Sequence, residues 1–264
     1  MSVKSALWIS AIAAIGFAGN ASAAPPNLVQ NGSFELTTPA GSTNFFIGNA
    51  GFPQLADWSY GAWPNPNAAV YTYAGANGAG AFDPGVGGSI PLYGPGNGFA
   101  NGFLDSPDGG NFLASDGEAS FSGAISQTIS GLTPGHQYRL SFLWAGNQYL
   151  DGSTLPSTSP IASSWSVSLG AQIFATPLVF YSSHGFTGWM TQSFTYTATS
   201  ASEVLSFLAV GGPNGLPPVS LLDGVSLTGV PELASWAMLV LGFAGLGFAG
   251  YRRTKRSAAA LAEG

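Results

Sequence analysis

The sequence predicts an all-β fold, an antiparallel two-sheet sandwich with an apolar segment at each end. Three observations predict it. Charged residues make up only 7% of the 264-residue chain, too few for long ion-paired helices, while 38 glycines and 18 prolines supply turns. Several short segments alternate apolar and polar residues at period two, the pattern of half-buried strands. Between the two apolar ends about 207 residues remain, Ala24 to Val230, the size of one all-β domain.

The elements follow in order. Residues 1–23 carry Lys4, an apolar run from Ala6 to Ala18 and a small-residue site Ala21-Ser22-Ala23, the three regions of a secretory signal peptide cleaved after Ala23. The run is shorter than the roughly 20 residues that span a bilayer. In the body, 24–229, the candidate strands are Asn27–Leu36, Ala124–Ser130, Gln137–Trp144, Ser164–Leu169, Met190–Ala198, Glu203–Val210 and Ser220–Thr228. Tyr138, Leu140, Phe142 and Trp144 share one face of the third, with Gln137, Arg139 and Ser141 on the other. Gly131-Leu132-Thr133-Pro134-Gly135 places Pro and Gly where a tight turn needs them. Residues 40–110 are rich in Gly, Asn and Pro without periodicity and read as long loops at one end of the sandwich.

The tail, 230–256, is tripartite. Val230-Pro231-Glu232 precedes an apolar run over 234–251, which as a helix reaches about 27 Å, close to the thickness of a hydrocarbon core. Arg252-Arg253-Thr254-Lys255-Arg256 follows at once and marks the cytoplasmic side, leaving 257–264 as a short end. This order, with Trp236-Ala237-Met238-Leu239 and the Gly-Phe-Ala-rich helix, resembles the PEP-CTERM sorting signal. It departs from that signal at Leu233, where the motif has a second proline. The resemblance implies an exosortase in the membrane as partner, transient membrane anchoring through 234–251, and a final place at the cell surface or in the extracellular matrix. A plain single-pass tail anchor is the alternative.

The body has a resemblance of its own. Asn27-Leu28-Val29-Gln30-Asn31-Gly32-Ser33-Phe34-Glu35, Ile125-Ser126-Gln127-Thr128-Ile129, the Leu132–Gly135 turn, Tyr138-x-Leu140-Ser141-Phe142 and Leu222-Asp223-Gly224-Val225 look like the galactose-binding-like jelly rolls. That resemblance implies a carbohydrate-binding or exopolysaccharide-associated module. It also implies a structural calcium between the first and last strands, with Glu35 and Asp223 as side-chain ligands. The residues themselves point toward a cation: Leu221, Asp223, Val225 and Leu227 share one parity, which puts an acid among core residues, and the body offers only Arg139 to neutralise it. Calcium suits an all-oxygen site of carboxylates and carbonyls. The competing reading makes Asp223 an acceptor of backbone hydrogen bonds at a bend before Gly224.

Composition excludes several functions. One cation against ten acids gives the body a net charge of −9, which repels nucleic acid. No cysteine is present, so thiol chemistry and cysteine-ligated zinc are excluded. The two histidines, His136 and His184, lie in turn-like segments outside any Gly-x-Ser-x-Gly, His-Glu-x-x-His or phosphate-loop pattern. Asp105, Asp108, Asp116 and Glu118 would suit a glycosidase by type, yet carboxylates beside Gly and Ser commonly form turns. Trp58, Tyr60 and Trp63, with Tyr71 and Tyr73, are the candidate sugar-stacking residues because they sit in the long-loop region, the alternative being core plugs beneath the loops. Trp144, Trp165 and Trp189 lie on strand-like segments and read as core. The chain is therefore expected to be a non-enzymatic surface protein. A secreted polysaccharide hydrolase and a structural adhesin without sugar binding remain the alternatives.

Overall fold

The computed structural model describes residues 25–42, 45–47, 53–64, 70–79, 90–150, 159–231, 240–248 and 251–252. The expected signal peptide, Glu232 of the sorting motif and most of the tail lie outside them. Among the described residues no helix is long and apolar enough to cross a membrane, and 240–248 are helical.

The strands are β1 (Thr37–Thr38), β2 (Phe45–Phe46), β3 (Gln54–Leu55), β4 (Ser59–Pro64), β5 (Val70–Ala74), β6 (Asn111–Asp116), β7 (Gly123–Ser130), β8 (Gln137–Gln148), β9 (Pro160–Leu169), β10 (Gln172–Ala175), β11 (Val179–Ser182), β12 (Met190–Thr197), β13 (Ser202–Gly212) and β14 (Pro218–Gly229), with one short helix, α1 (Gly75–Ala79). Twelve of them form two six-stranded antiparallel sheets, sheet I in the order β12-β8-β14-β6-β5-β2 and sheet II in the order β10-β9-β13-β7-β4 with β11 also on β9, while β1 pairs with β3 in a separate two-stranded ribbon. From β6 to β9 and again from β11 to β14 the chain changes sheet at each connection, the winding of a double-sheet jelly roll.

Between the sheets lies a first core. Alternation directs Ile125 and Ile129 of β7, Leu140 and Phe142 of β8, Trp165 and Val167 of β9, and Leu205 and Phe207 of β13 into it. Phe207 meets Phe142 edge-on at 5.2 Å and Trp165 at 6.0 Å, and the Trp165 indole N–H donates to the Leu221 carbonyl at 3.0 Å. On the outer face of sheet I lies a second core, built from Tyr71, Tyr73, Phe112, Ala114, Tyr149 and Leu221, roofed by Leu92 and Phe103 and flanked by Trp189.

Three expectations are corrected. Residues 27–36 are not a strand: they cross the end of the sandwich in turns, with Leu28 donating to the Leu227 carbonyl at 2.9 Å and the Asn27 side chain accepting from the Leu227 amide at 2.8 Å. Asn31 and Phe34 take positive φ there, which an extended strand does not allow. The segment 40–110 is not merely loops, since it supplies β2 to β5 and the roof of the second core. Finally, β14 carries a bulge: Asp223 faces Leu143 but Ser226 faces Ser141, one extra residue absorbed at Gly224, whose φ is 55°. The bulge reverses the parity, so Val225 and Leu227 enter the first core while Leu221 belongs to the second. Asp223 shares the outer face with Leu221, not the inner face with Val225.

Candidate functional site

The bulge builds the first candidate site. Asp223 is fully buried, and its Oδ1 accepts from the Gly224 amide at 2.8 Å, while its Oδ2 has no hydrogen-bond partner. Burial pushes its carboxyl up to about 8, against hydrogen bonds from the Ser106 side chain and the Gly224 amide, with the negative charges of Asp108 and Glu35 adding to the rise. Glu35, which follows the Asn31–Phe34 turns, accepts from the Asn111 amide at 2.5 Å. A cavity of about 440 Å³ opens at this point, lined by Asn31, Gly32, Ser33, Glu35, Asp108 and Gly224 among others. Gly110, at a φ of 64°, lies so close to Glu35 that any Cβ would collide with its carboxylate.

The structure thus brings together the two sequence-predicted ligands, Glu35 and Asp223, and adds Asp108, which the sequence had offered only as a catalytic candidate. The donor chemistry is of the kind calcium takes: a buried carboxylate oxygen lacks a partner, and the charges of two further acids reach it. Among the described residues no group of three acidic or imidazole side chains stands close enough to hold an ion unaided, so backbone carbonyls would complete the set.

The aromatic candidates fall differently. Trp58 is a core residue, not an exposed stacking platform: it is buried, its indole N–H donates to the Asn31 carbonyl at 2.9 Å, and it packs on Phe34 at 5.4 Å. Tyr60 is half-buried against the first core, and burial raises its hydroxyl to about 12. Trp63 lies in β4, with its side chain outside the described residues. Tyr71 and Tyr73 belong to the second core, as does the flanking Trp189, whose indole N–H donates to the Leu104 carbonyl at 3.0 Å. Trp144 and Trp165 are in the first core.

One grouping was missed by sequence reasoning. Tyr60, Tyr71 and Tyr149 come within electrostatic reach of one another and, for the last two, of Asp116. Burial pushes the Asp116 carboxyl up to about 7, opposed by a hydrogen bond from the Glu118 amide and reinforced by the Glu118 charge. Tyr71 rises to about 12 for the same reason, burial. The residues come from β4, β5, β6 and the end of β8, so no local pattern joins them.

The remaining catalytic candidates are spent on structure. Asp105 accepts from the Ala76 amide at 2.6 Å and Glu118 from the Gly215 amide at 2.9 Å. Ser183 donates to Gln148 at 3.3 Å, away from the adjacent His184, which stacks on Tyr93 at 4.1 Å. His136 sits in the exposed turn before β8.

No family model and no curated protein matches this chain. Among solved structures it is similar to TmCBM61 in complex with β-1,4-galactotriose, at 14% identity and a TM-score of 0.41 over 78% of this chain and 99% of that one. The xylan-binding domain CBM22-1 from Paenibacillus barcinonensis gives 12% identity and a TM-score of 0.36 over 80% and 99%. The enzymatically active domain of the bacteriophage CBA120 tailspike protein 4 gives 11% and 0.33 over 77% and 21%. At these scores the likeness assigns no ligand and no residue role.

Proposed function

We propose that the chain is an exported, non-catalytic β-sandwich that binds carbohydrate at the cell surface or in the extracellular matrix. The observation that carries this reading is Tyr60, a half-buried aromatic residue of β4 within electrostatic reach of the buried Tyr71 and Tyr149. Tyr60 keeps part of its ring surface exposed and carries a hydroxyl, groups that stack on and hold a sugar. A hydrolase needs two carboxylates across a cleft, and Glu118, the nearest to Asp116, is held by the Gly215 amide. A calcium ion between Glu35 and Asp223, with Asp108 beside them, would neutralise the buried acid and tie residues 31–35 to β14. Export by the signal peptide 1–23 and sorting by an exosortase at Val230-Pro231-Glu232, with 234–251 as the transient anchor, belong to the same reading. It is supported by the position of the motif at the point where β14 ends, with the Val230 amide still donating to the Gln137 carbonyl at 2.9 Å.

The test is binding of the purified full chain to a soluble oligosaccharide panel. Tyr60→Ala should cost about 1–3 kcal/mol of affinity, as for other aromatic anchors. Unchanged binding in that variant places the site elsewhere, and product release from any panel member, abolished by Asp116→Asn, makes the chain a hydrolase. Mass spectrometry of the protein taken from the producing cell's surface should end near Pro231-Glu232, and recovery through Gly264 leaves only the tail anchor.

A further inference from the structure

We propose that the outer face of sheet II is a second binding surface, one that docks on the flat face of an ordered, uncharged polysaccharide; this rests on the carbohydrate reading above. Because Ile125, Trp165, Val167, Leu205 and Phe207 point into the first core, their sequence neighbours point out. Register aligns three of those neighbours in one row with Ser59 of β4: Ser59 faces Ser126, Ser126 faces Ser206, and Ser206 faces Ser168. Neighbouring strands are spaced by about 4.8 Å, so the row is a ladder of small hydroxyls crossing β4, β7, β13 and β9.

Hydrocarbon flanks the ladder. On β13, Val204 is 49% and Val210 43% exposed on either side of Ser206, and Ile173 of β10 and Phe180 of β11 extend the apolar border beyond β9 at 74% and 68%. No charged side chain points outward from β7, β9, β10, β11 or β13, although the body carries ten acids and one arginine. A solvated sheet face ordinarily carries charge, and edges most of all. A face without charge in so acidic a body selects neither a cationic nor an anionic partner.

The composition also decides between a second copy and a sugar. Five strands by about eight residues span roughly 24 by 26 Å, on the order of 600 Å² per partner, below the ~800 Å² of a standard protein interface. Burying a hydroxyl ladder against another protein copy leaves hydroxyls to be matched one by one, at a cost for each failure. A neutral sugar ring presents hydroxyls and C–H patches together, so it pairs the serines and covers the valines at once. The serine row is fixed by the register of four hydrogen-bonded strands, so the polymer must itself be ordered; a soluble coil would lose the binding energy in being straightened.

The experiment is depletion of the purified full chain by microcrystalline β-1,4-glucan, insoluble chitin and insoluble β-1,3-glucan, with alginate gel as the anionic comparison. At least one neutral solid should deplete the chain while alginate does not. Ser168→Lys/Ser206→Lys should weaken that partition about tenfold or more, and Ser206→Thr should retain it. Should the double lysine variant fail to fold, Thr128→Lys at the exposed margin of the same face should show the loss. No depletion by any neutral solid overturns the proposal, as does equal depletion by alginate. Loss in Tyr60→Ala with retention in the lysine variants also overturns it and leaves the loop-end site as the sole binder. A concentration-dependent dimer dissolved by the lysine variants overturns it in favour of self-association.

Discussion

The two cores of this protein are built from different material. The first lies between two sheets, and both of its walls are hydrogen-bonded strands. The second uses the outer face of sheet I as its only regular wall and closes the other side with residues 90–103 and 186–189, which carry no period. A core needs a continuous apolar surface and not two regular walls. The roof here is held by ring contacts, Phe103 on Phe112 at 5.9 Å and on Phe186 at 5.0 Å, and by single hydrogen bonds such as Trp189 to the Leu104 carbonyl. Elements secured in this way open more readily than strands in a ladder.

The sharpest test of that difference is a pair of truncations. Phe207→Ala, at the centre of the first core, should cost about 4 kcal/mol, and Phe103→Ala about 3 kcal/mol, both within the range for buried aromatics. The informative readout is hydrogen exchange. Phe103→Ala should deprotect 90–104 while β7, β9 and β13 stay protected, whereas Phe207→Ala should deprotect both sheets together. Equal deprotection in the two variants would show one cooperative unit and erase the distinction.

The proposed calcium would act where the two cores meet, since the bulge at Gly224 hands β14 from one to the other. At a hundred times its dissociation constant the ion should add about 2.7 kcal/mol to stability, because it binds only the folded chain. Melting with excess calcium and then with chelator measures this. Equal midpoints would rule the ion out, and a shift abolished by Asp223→Ala would assign the ligand.

The smallest effect is a pH slope. Burial raises Asp116 from 3.8 to about 7 in the folded chain, so the folded state binds the proton more tightly than the unfolded state does. Its stabilisation is therefore complete below about pH 4 and is lost as the pH rises through 7, by up to about 1.4 kcal/mol per pH unit. Urea midpoints measured in chelator should fall across that window, and Asp116→Asn should flatten the fall. Asp223, raised to about 8 by burial, contributes with the same sign, so a slope unchanged in Asp116→Asn would assign the effect to the bulge.

The strands that the sequence makes legible are those with one core face and one solvent face. Period two is visible in 124–130, 137–144, 164–169 and 203–210 because sheet II, and β8 over its first half, meet water on one side. β6 escaped for the opposite reason: Asn111 to Asp116 are buried at every position, between the first core and the second, so Asn-Phe-Leu-Ala-Ser-Asp shows no alternation. β8 continues past Trp144 to Gln148 unseen because both its faces become covered there.

Local chemistry alone determined the all-β class, the acidic cysteine-free body and the basic tail cluster, whereas the pairing of Glu35 with Asp223 as candidate ligands came from the resemblance to the jelly rolls. Tertiary structure decided the rest. It buried Trp58 beneath Asn31, placed Asp223 on the opposite face from Val225 through one inserted residue, and brought Tyr60, Tyr71 and Asp116 of three strands near Tyr149, just past β8. It also aligned four serines across sheet II. The physical reason is that side-chain periodicity reports which face a residue occupies within its own strand. Register, bulges and the roofing of a face depend on partners that are distant in sequence, and no local pattern encodes them.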